Sequence, residues 1–220
     1  MIEHVFRGTR ECELLDDVVI ATCDTAIADA AAAFGARAVM TSAFHERASD
    51  RVAEAVALDS ADLVVMVQGD EPMVRGEMIA EAIGPLVEDE RVSCVNLAAP
   101  IRSAKELDDP NTIKLITDAA GNALHFSRRP IPDIAASFES RQHWKQVCVI
   151  AFRRSALEQF SRLEQGPQEK AESVDMLRFL EHGCAIRIAA TSFVTHAVDT
   201  PEDLEYVSAA MSNRDVAVRR

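Results

Sequence analysis

The feature that most constrains this chain is the exchange of short apolar runs with helix-forming stretches through its first half. DDVVIATCD (16–24) reads as a buried strand closing on polar residues. AIADAAAAFG (26–35) reads as an alanine-rich helix stopped by Gly35. RAVMT (37–41) is a short strand, and SDRVAEAVALDS (49–60) a helix with Val52, Ala55, Val56 and Leu58 near one face. ADLVVMVQ (61–68) is the next strand and GEMIAEAIGPLVED (76–89) the next helix. A βαβα rhythm of this kind predicts an α/β fold, a mostly parallel sheet with helices on both faces.

The middle changes character. VSCVNLAAPI (92–101) and TIKLITDAAGNALHFSR (112–128) read as strands, the second turning at DAAGN (118–122). VCVIAFRR (147–154) is another. A turn that short cannot carry a parallel crossover, so this part is an antiparallel excursion. SALEQFSRLE (155–164) and EKAESVDMLRFLEHG (169–183) each read as one helix, and AIRIAATSF (185–193) as a late strand. The chain has 220 residues and no repeat or long linker, which suits a single domain spanning 1–220.

Composition excludes some functions. A net charge of −13 argues against generic nucleic-acid binding, which leaves a basic footprint. No apolar run has spanning length and no signal-peptide pattern is present, which points away from a membrane. The five cysteines are scattered and form no C-x-x-C; they read as reduced small hydrophobes in a cytoplasmic protein.

Two acidic loops point to chemistry. LVVMVQGDEPMV (63–74) drives an apolar strand into Asp70, Glu71 and Pro72. Open α/β sheets bind ligands just beyond the carboxyl ends of their strands, so Asp70 is a candidate site residue. VDTPEDLEYV (198–207) carries a clear helix start, with Thr200 as N-cap, Pro201 at the first helical position and Asp203 completing a capping-box pattern. Asp199 therefore sits in a loop beside a helix N-terminus. Asp70 and Asp199 are hard oxygen ligands, and Mg²⁺ takes one or two such carboxylates plus substrate phosphates.

VQGDEPM, DDPNTIKLITD, HFSRRPIP and VDTPEDLE, in that order, resemble the 3-deoxy-manno-octulosonate cytidylyltransferase (CMP-Kdo synthetase) family. The resemblance implies a nucleotide-diphospho-sugar-transferase-like α/β fold and a homodimer. It implies a reaction in which CTP and an acidic 3-deoxy sugar, Kdo or a modified analogue, give a CMP-sugar and pyrophosphate. Carried over by position, Asp70 and Asp199 are the Mg²⁺ ligands, and Gln68 contacts the sugar. Lys114 and Arg128 match basic residues of the PN-x-x-K and FSR elements. FHERASDR (44–51) matches the nucleotide loop at His45, Asp50 and Arg51, with Ser49 a mild change.

The chain departs from the family in three places. MIEHVFRGTR (1–10) resembles a stretch internal to the family, after its first strand and its Arg-, Gly- and Pro-containing phosphate loop. The expectation is a chain shortened at its N-terminus relative to the family; either coding sequence continues upstream, or this is a non-catalytic relative that has lost the loop. In the nucleotide loop Arg47 replaces a serine and Ala48 a glycine, and Cys23 stands where an acid is usual. In the sugar-facing stretch Gln146, Cys148 and Ile150 replace polar and small residues, and VDMLR puts Asp175 and Met176 where the family has an acid and a glutamine. Apolar replacements there predict a less hydroxylated or otherwise modified sugar.

Overall fold

The computed structural model describes residues 1–131 and 142–218. Nine helices and eight strands alternate among the described residues. The first half runs α1 (Ile2–Arg10), β1 (Val19–Thr22), α2 (Thr25–Ala33), β2 (Arg37–Met40), α3 (Ala48–Ala55), β3 (Leu63–Val67) and α4 (Gly76–Glu88). The second half runs β4 (Cys94–Pro100), α5 (Ala104–Asp108), β5 (Lys114–Thr117), β6 (Ala123–Ser127), β7 (Trp144–Arg153), α6 (Arg154–Arg162), α7 (Pro167–Glu172), α8 (Met176–Glu181), β8 (Arg187–Ala190) and α9 (Pro201–Val218).

The long strand β7 organises the larger sheet. On one edge it pairs antiparallel with β4; on the other, its start pairs with β5 and its end with β3. β8 lies parallel to β4, and β5 and β6 form a hairpin at the far edge. Since β3 and β4 both oppose β7, they run the same way. β1 and β2 form a separate parallel pair. The same-direction strands of the expected sheet are therefore present, with β7 reversed between two of them.

Side-chain alternation along the central strands divides the core. Met66, Ile150 and Phe152 face α6 and α8, where the rings of Phe152, Phe160 and Phe179 meet edge-on at 5.1 and 6.4 Å. Val147, Val149 and Val95 face α4 and α1. α1 lies close to the start of α4: a Cβ at Gly76 would stand 2.6 Å from the Cys12 nitrogen, so only glycine allows this approach.

The sequence reading differs from the structure at three places. EKAESVDMLRFLEHG forms two helices, α7 and α8. Ser173 between them adopts a left-handed backbone (φ 55°), and its carbonyl and hydroxyl both accept bonds from arginines, Arg128 and Arg47. α1 and the short α5 are helices in stretches where the sequence pattern predicts none. No helix among the described residues is long and apolar enough to cross a membrane.

Candidate active site

β3 buries Val64 and Met66 and ends where Gln68 still donates its N–H to the Cys148 carbonyl, at 3.1 Å. The chain then turns: Glu71 N–H donates to the Gln68 carbonyl, and Pro72 has no N–H with which to continue a ladder. Asp70 is left at the carboxyl end of β3. Its own carbonyl accepts the Val198 N–H at 2.9 Å, which draws the loop ahead of α9 onto it. α9 opens with the expected capping box. Thr200 and Asp203 exchange bonds, Asp203 also accepts the Asp199 N–H, and His196 reaches Asp203 at 2.6 Å. Asp199 is thereby set beside Asp70.

The two acids are electrostatically coupled. Burial, and then the charge of Asp199, hold the Asp70 carboxyl above its ordinary range. Burial also raises Asp199, with Asp203 adding to the rise and the Arg128 guanidinium opposing it. One Asp70 oxygen, Oδ1, is buried without a hydrogen-bond partner. A buried carboxylate oxygen left unpaired next to a second carboxylate is the arrangement a hard cation relieves. Among the described residues no group of three or more acidic, histidine or cysteine side chains could hold a metal. Two carboxylates with substrate oxygens suit Mg²⁺, so the donor set fits that ion.

Glu71 has no role in the sequence reading, yet it is buried and feels the charges of both Asp70 and Asp199. It is 4% exposed and accepts the Cys148 N–H at 3.2 Å. Burial pushes its pKa up to about 7, which the Cys148 N–H opposes and the charge of Asp70 reinforces. Burial and then Glu71 drive the neighbouring Cys148 thiol well upward as well, so it stays protonated. The signal was available: an acid preceding proline at the end of a buried strand has few ways to remain in water.

The other candidates fall into two groups. Gln68 is partly exposed at the end of β3, near the acids. Arg128 faces Asp199 electrostatically, while its guanidinium donates to the carbonyls of Glu172 (2.6 Å), Pro110 (2.9 Å) and Ser173 (3.4 Å). It is thus a fixed cation at the rim.

The remaining candidates all have protein partners or core neighbours. Lys114 is 1% exposed, and its ammonium donates to the carbonyls of Asp109, Thr112 and Arg128 at 2.6–2.8 Å. All three of its protons are used, so it organises the loop under Arg128. Ser49 and Asp175 bond each other at 2.6 Å in the interior. Asp50 takes a forked bond from Arg178, which also binds Glu169 and lies over the Phe160 ring at 4.2 Å. Arg47 joins this cluster through Glu169 and Ser173. Arg51 holds the loop after β2, donating to Thr41 and Ser42, while His45 pairs with Glu54. Ala48 begins α3 with no positive φ, so it needs no glycine. Ile150 and Met176 are 1% and 0% exposed within the core. Gln146 donates to the buried Asn96 across the bulge between β4 and β7.

Comparison with known proteins settles the family. Residues 1–188 match the model described as Cytidylyltransferase. The chain belongs to the cytidylyltransferase family. It is 40% identical to the 3-deoxy-manno-octulosonate cytidylyltransferase of Geobacter metallireducens, over 96% of this chain and 87% of that protein. The enzyme of the same name from Geotalea uraniireducens is 41% identical over 94% of this chain and 86% of its own. Among solved structures, CMP:2-keto-3-deoxy-manno-octonic acid synthetase complexed with CTP superposes with a TM-score of 0.87 and 34% identity, covering 97% of this chain and 88% of that one. A 4-diphosphocytidyl-2C-methyl-D-erythritol synthase from Anaerococcus prevotii shares the fold at TM-score 0.63 and 15% identity, covering 96% and 88%. The chain is a CTP-dependent sugar-acid cytidylyltransferase by family, with the expected nucleotidyltransferase-like α/β architecture.

Proposed function

We propose that this cytidylyltransferase joins CTP to Kdo at the edge formed by Asp70 and Asp199. The observation that carries the reading is the buried, unpartnered Asp70 oxygen held against a second acid at the carboxyl end of β3. The sugar's anomeric hydroxyl attacks the α-phosphorus, a new P–O bond forms, and the bond to the β-phosphate breaks. Pyrophosphate leaves with the bonding electrons and the hydroxyl proton passes to solvent or base.

Asp70 and Asp199 would hold Mg²⁺. When bound, that ion neutralises phosphate charge and lowers the cost of forming the nucleophile. The chain's own contribution is placement. Arg128 keeps a fixed positive charge beside Asp199, suited to a phosphate or sugar carboxylate. Gln68 offers an amide at the strand end. The case for a modified sugar drew on Gln146, Cys148, Ile150 and Met176; Ile150 and Met176 lie in the core, and Gln146 is bonded to Asn96. Kdo is favoured over a modified analogue because it is the sugar in the names of the similar enzymes. A homodimer belongs to the same reading, supported by β6 at the sheet edge with Leu124 57% exposed on it.

The test is pyrophosphate release with CTP, Mg²⁺ and a panel of 3-deoxy acidic sugars including Kdo. Release that requires both CTP and Kdo supports the reading. Release with another acidic sugar and none with Kdo would overturn the acceptor. Silence from a folded sample with every sugar would favour a relative that binds without turning over.

A further inference from the structure

Asp199 belongs to a stretch with no regular structure of its own. β8 ends at Ala190 and α9 begins at Pro201, and residues 191–199 between them form neither helix nor strand. Such a stretch has no ladder to hold its course, so its path is set by contacts made from other elements. Those contacts decide whether Asp199 arrives beside Asp70.

The stretch is held at both ends by main-chain bonds. Thr191 N–H donates to the Ala98 carbonyl at 2.8 Å, and Val198 N–H to the Asp70 carbonyl at 2.9 Å. Between these, three cations grip it from three elements. The Arg102 guanidinium donates to the Ser192 carbonyl at 3.2 Å. The Arg75 guanidinium lies over the Phe193 ring at 5.3 Å. The Lys145 ammonium donates to the Thr195 carbonyl at 2.9 Å. Arg102 is exposed and Arg75 only partly covered, whereas Lys145 is buried. Water competes for the first two and is kept from the third.

Lys145 is out of character with its neighbours. Along the start of β7 the buried positions are Lys145, Val147 and Val149, and both valines belong to the apolar core under α4 that Phe193 also joins. An ammonium at the end of such a row must be answered by protein groups. One answer is Glu106, whose Oε1 accepts at 2.6 Å. Glu106 is itself fixed: its Oε2 accepts the Arg102 N–H at 2.8 Å, and its own N–H donates to Ser103 Oγ at 3.1 Å, the reciprocal cap of α5. The other answer is the Thr195 carbonyl. The ammonium therefore has a braced counter-charge on one side and the irregular stretch on the other. Thr195 stands close before Val198 and Asp199, so little slack lies between this grip and the junction with Asp70.

We propose that Lys145 is a positioning residue for the transfer reaction: braced by Glu106, its ammonium holds the Thr195 carbonyl and so sets Asp199 against Asp70. It touches neither acid and acts through the path of the chain. The role rests on Asp70 and Asp199 being the reacting edge.

Lys145→Met keeps the reach of the side chain and removes the donor. In the metal-free full chain, hydrogen exchange compares the Val198 amide, which is bonded while the junction stands, with the Val95 amide of central β4. The expected result is exchange at Val198 about tenfold faster than in the parent, with Val95 unchanged. Pyrophosphate release with CTP and Kdo should fall about 10- to 100-fold, with a higher Mg²⁺ concentration at half-maximal rate and the KM for CTP kept. Lys145→Arg, which retains donors for both partners, should recover exchange and turnover together. Val198 exchange equal to the parent, or raised only in step with Val95, would overturn the role. So would a faster Val198 with turnover and Mg²⁺ requirement unchanged, which would leave Lys145 a structural tie alone. Should Lys145→Met fail to fold, Lys145→Gln, too short to reach Thr195, is read in the same way. A parent silent in the assay counts against the reaction proposed above, and the exchange comparison then decides Lys145 by itself.

Discussion

The acidic edge and the ion cluster below α3 make an instructive pair. Both are built from charged residues in stretches where the chain resembles its family. In the cluster every charge is answered: Arg178 forks onto Asp50 and Glu169, Arg47 adds to Glu169, and Ser49 donates to Asp175. At the edge Asp70 keeps a buried oxygen with no partner, and its nearest charged neighbour is another acid. Protein structure has consumed the charge in one place and withheld it in the other. A charged side chain already satisfied by protein has little left for a ligand.

Four substitutions would break or sharpen that contrast. Asp70→Asn has the largest expected effect on turnover, a loss on the order of 10³-fold in pyrophosphate release, as for other groups that act on developing charge. Its melting temperature should hold or rise, because a repulsive buried charge is removed. A matching collapse of fold and activity would give Asp70 a structural role instead.

Arg178→Met should do the reverse. Removing one partner of a buried ion network costs about 3–5 kcal/mol; Glu169 keeps only Arg47, and Asp50 loses its forked partner. In a domain of this size that is a fall of roughly 10 °C, with activity per folded molecule largely kept. A stable but inactive variant would move the cluster into the site.

Glu71→Gln tests a group between the two regions. The folded Glu71 carboxyl has its pKa raised from 4.5 to about 7. The native state therefore holds the proton more tightly than the unfolded chain. That stabilisation is complete below pH 4.5 and is lost as pH climbs through about 7. The glutamine variant should flatten this slope and exceed the parent in stability at pH 8 by as much as about 3 kcal/mol. Denaturation midpoints across pH 4–8 would decide; parallel pH profiles would show that Glu71 does not titrate in this window.

Arg47→Ser restores the family residue and has the smallest expected effect, about 1 kcal/mol of stability. Glu169 keeps Arg178, and Ser173 loses one donor. A large loss of CTP binding would place Arg47 in the site after all.

Much of the fold was legible because it rests on local pattern. The apolar runs of β1, β2 and β3, Gly35 ending α2 with φ 80°, and the Thr200–Asp203 capping box are signals a few residues long. What could not be read depends on distant partners. The break between α7 and α8 follows from Arg47 and Arg128 reaching Ser173 from elsewhere in the chain. The reversal of β7 between β3 and β4 is a choice of neighbour that no single strand encodes. The same holds for the site. Asp70 and Asp199 stood out by their places at a strand end and a helix start. Lys114 did not reveal that three carbonyls would surround it, and Glu71 did not reveal its burial. Motif resemblance marks residue types without saying which way they face.

The bond from the Val198 N–H to the Asp70 carbonyl bears on how this site tolerates change. Two acids from opposite parts of the chain are brought together by main-chain atoms. Most replacements at either position retain those atoms. Point mutation can alter the charge at this edge without dismantling the junction itself. Drift can therefore silence the site and later restore it while the loop still comes back to the same place.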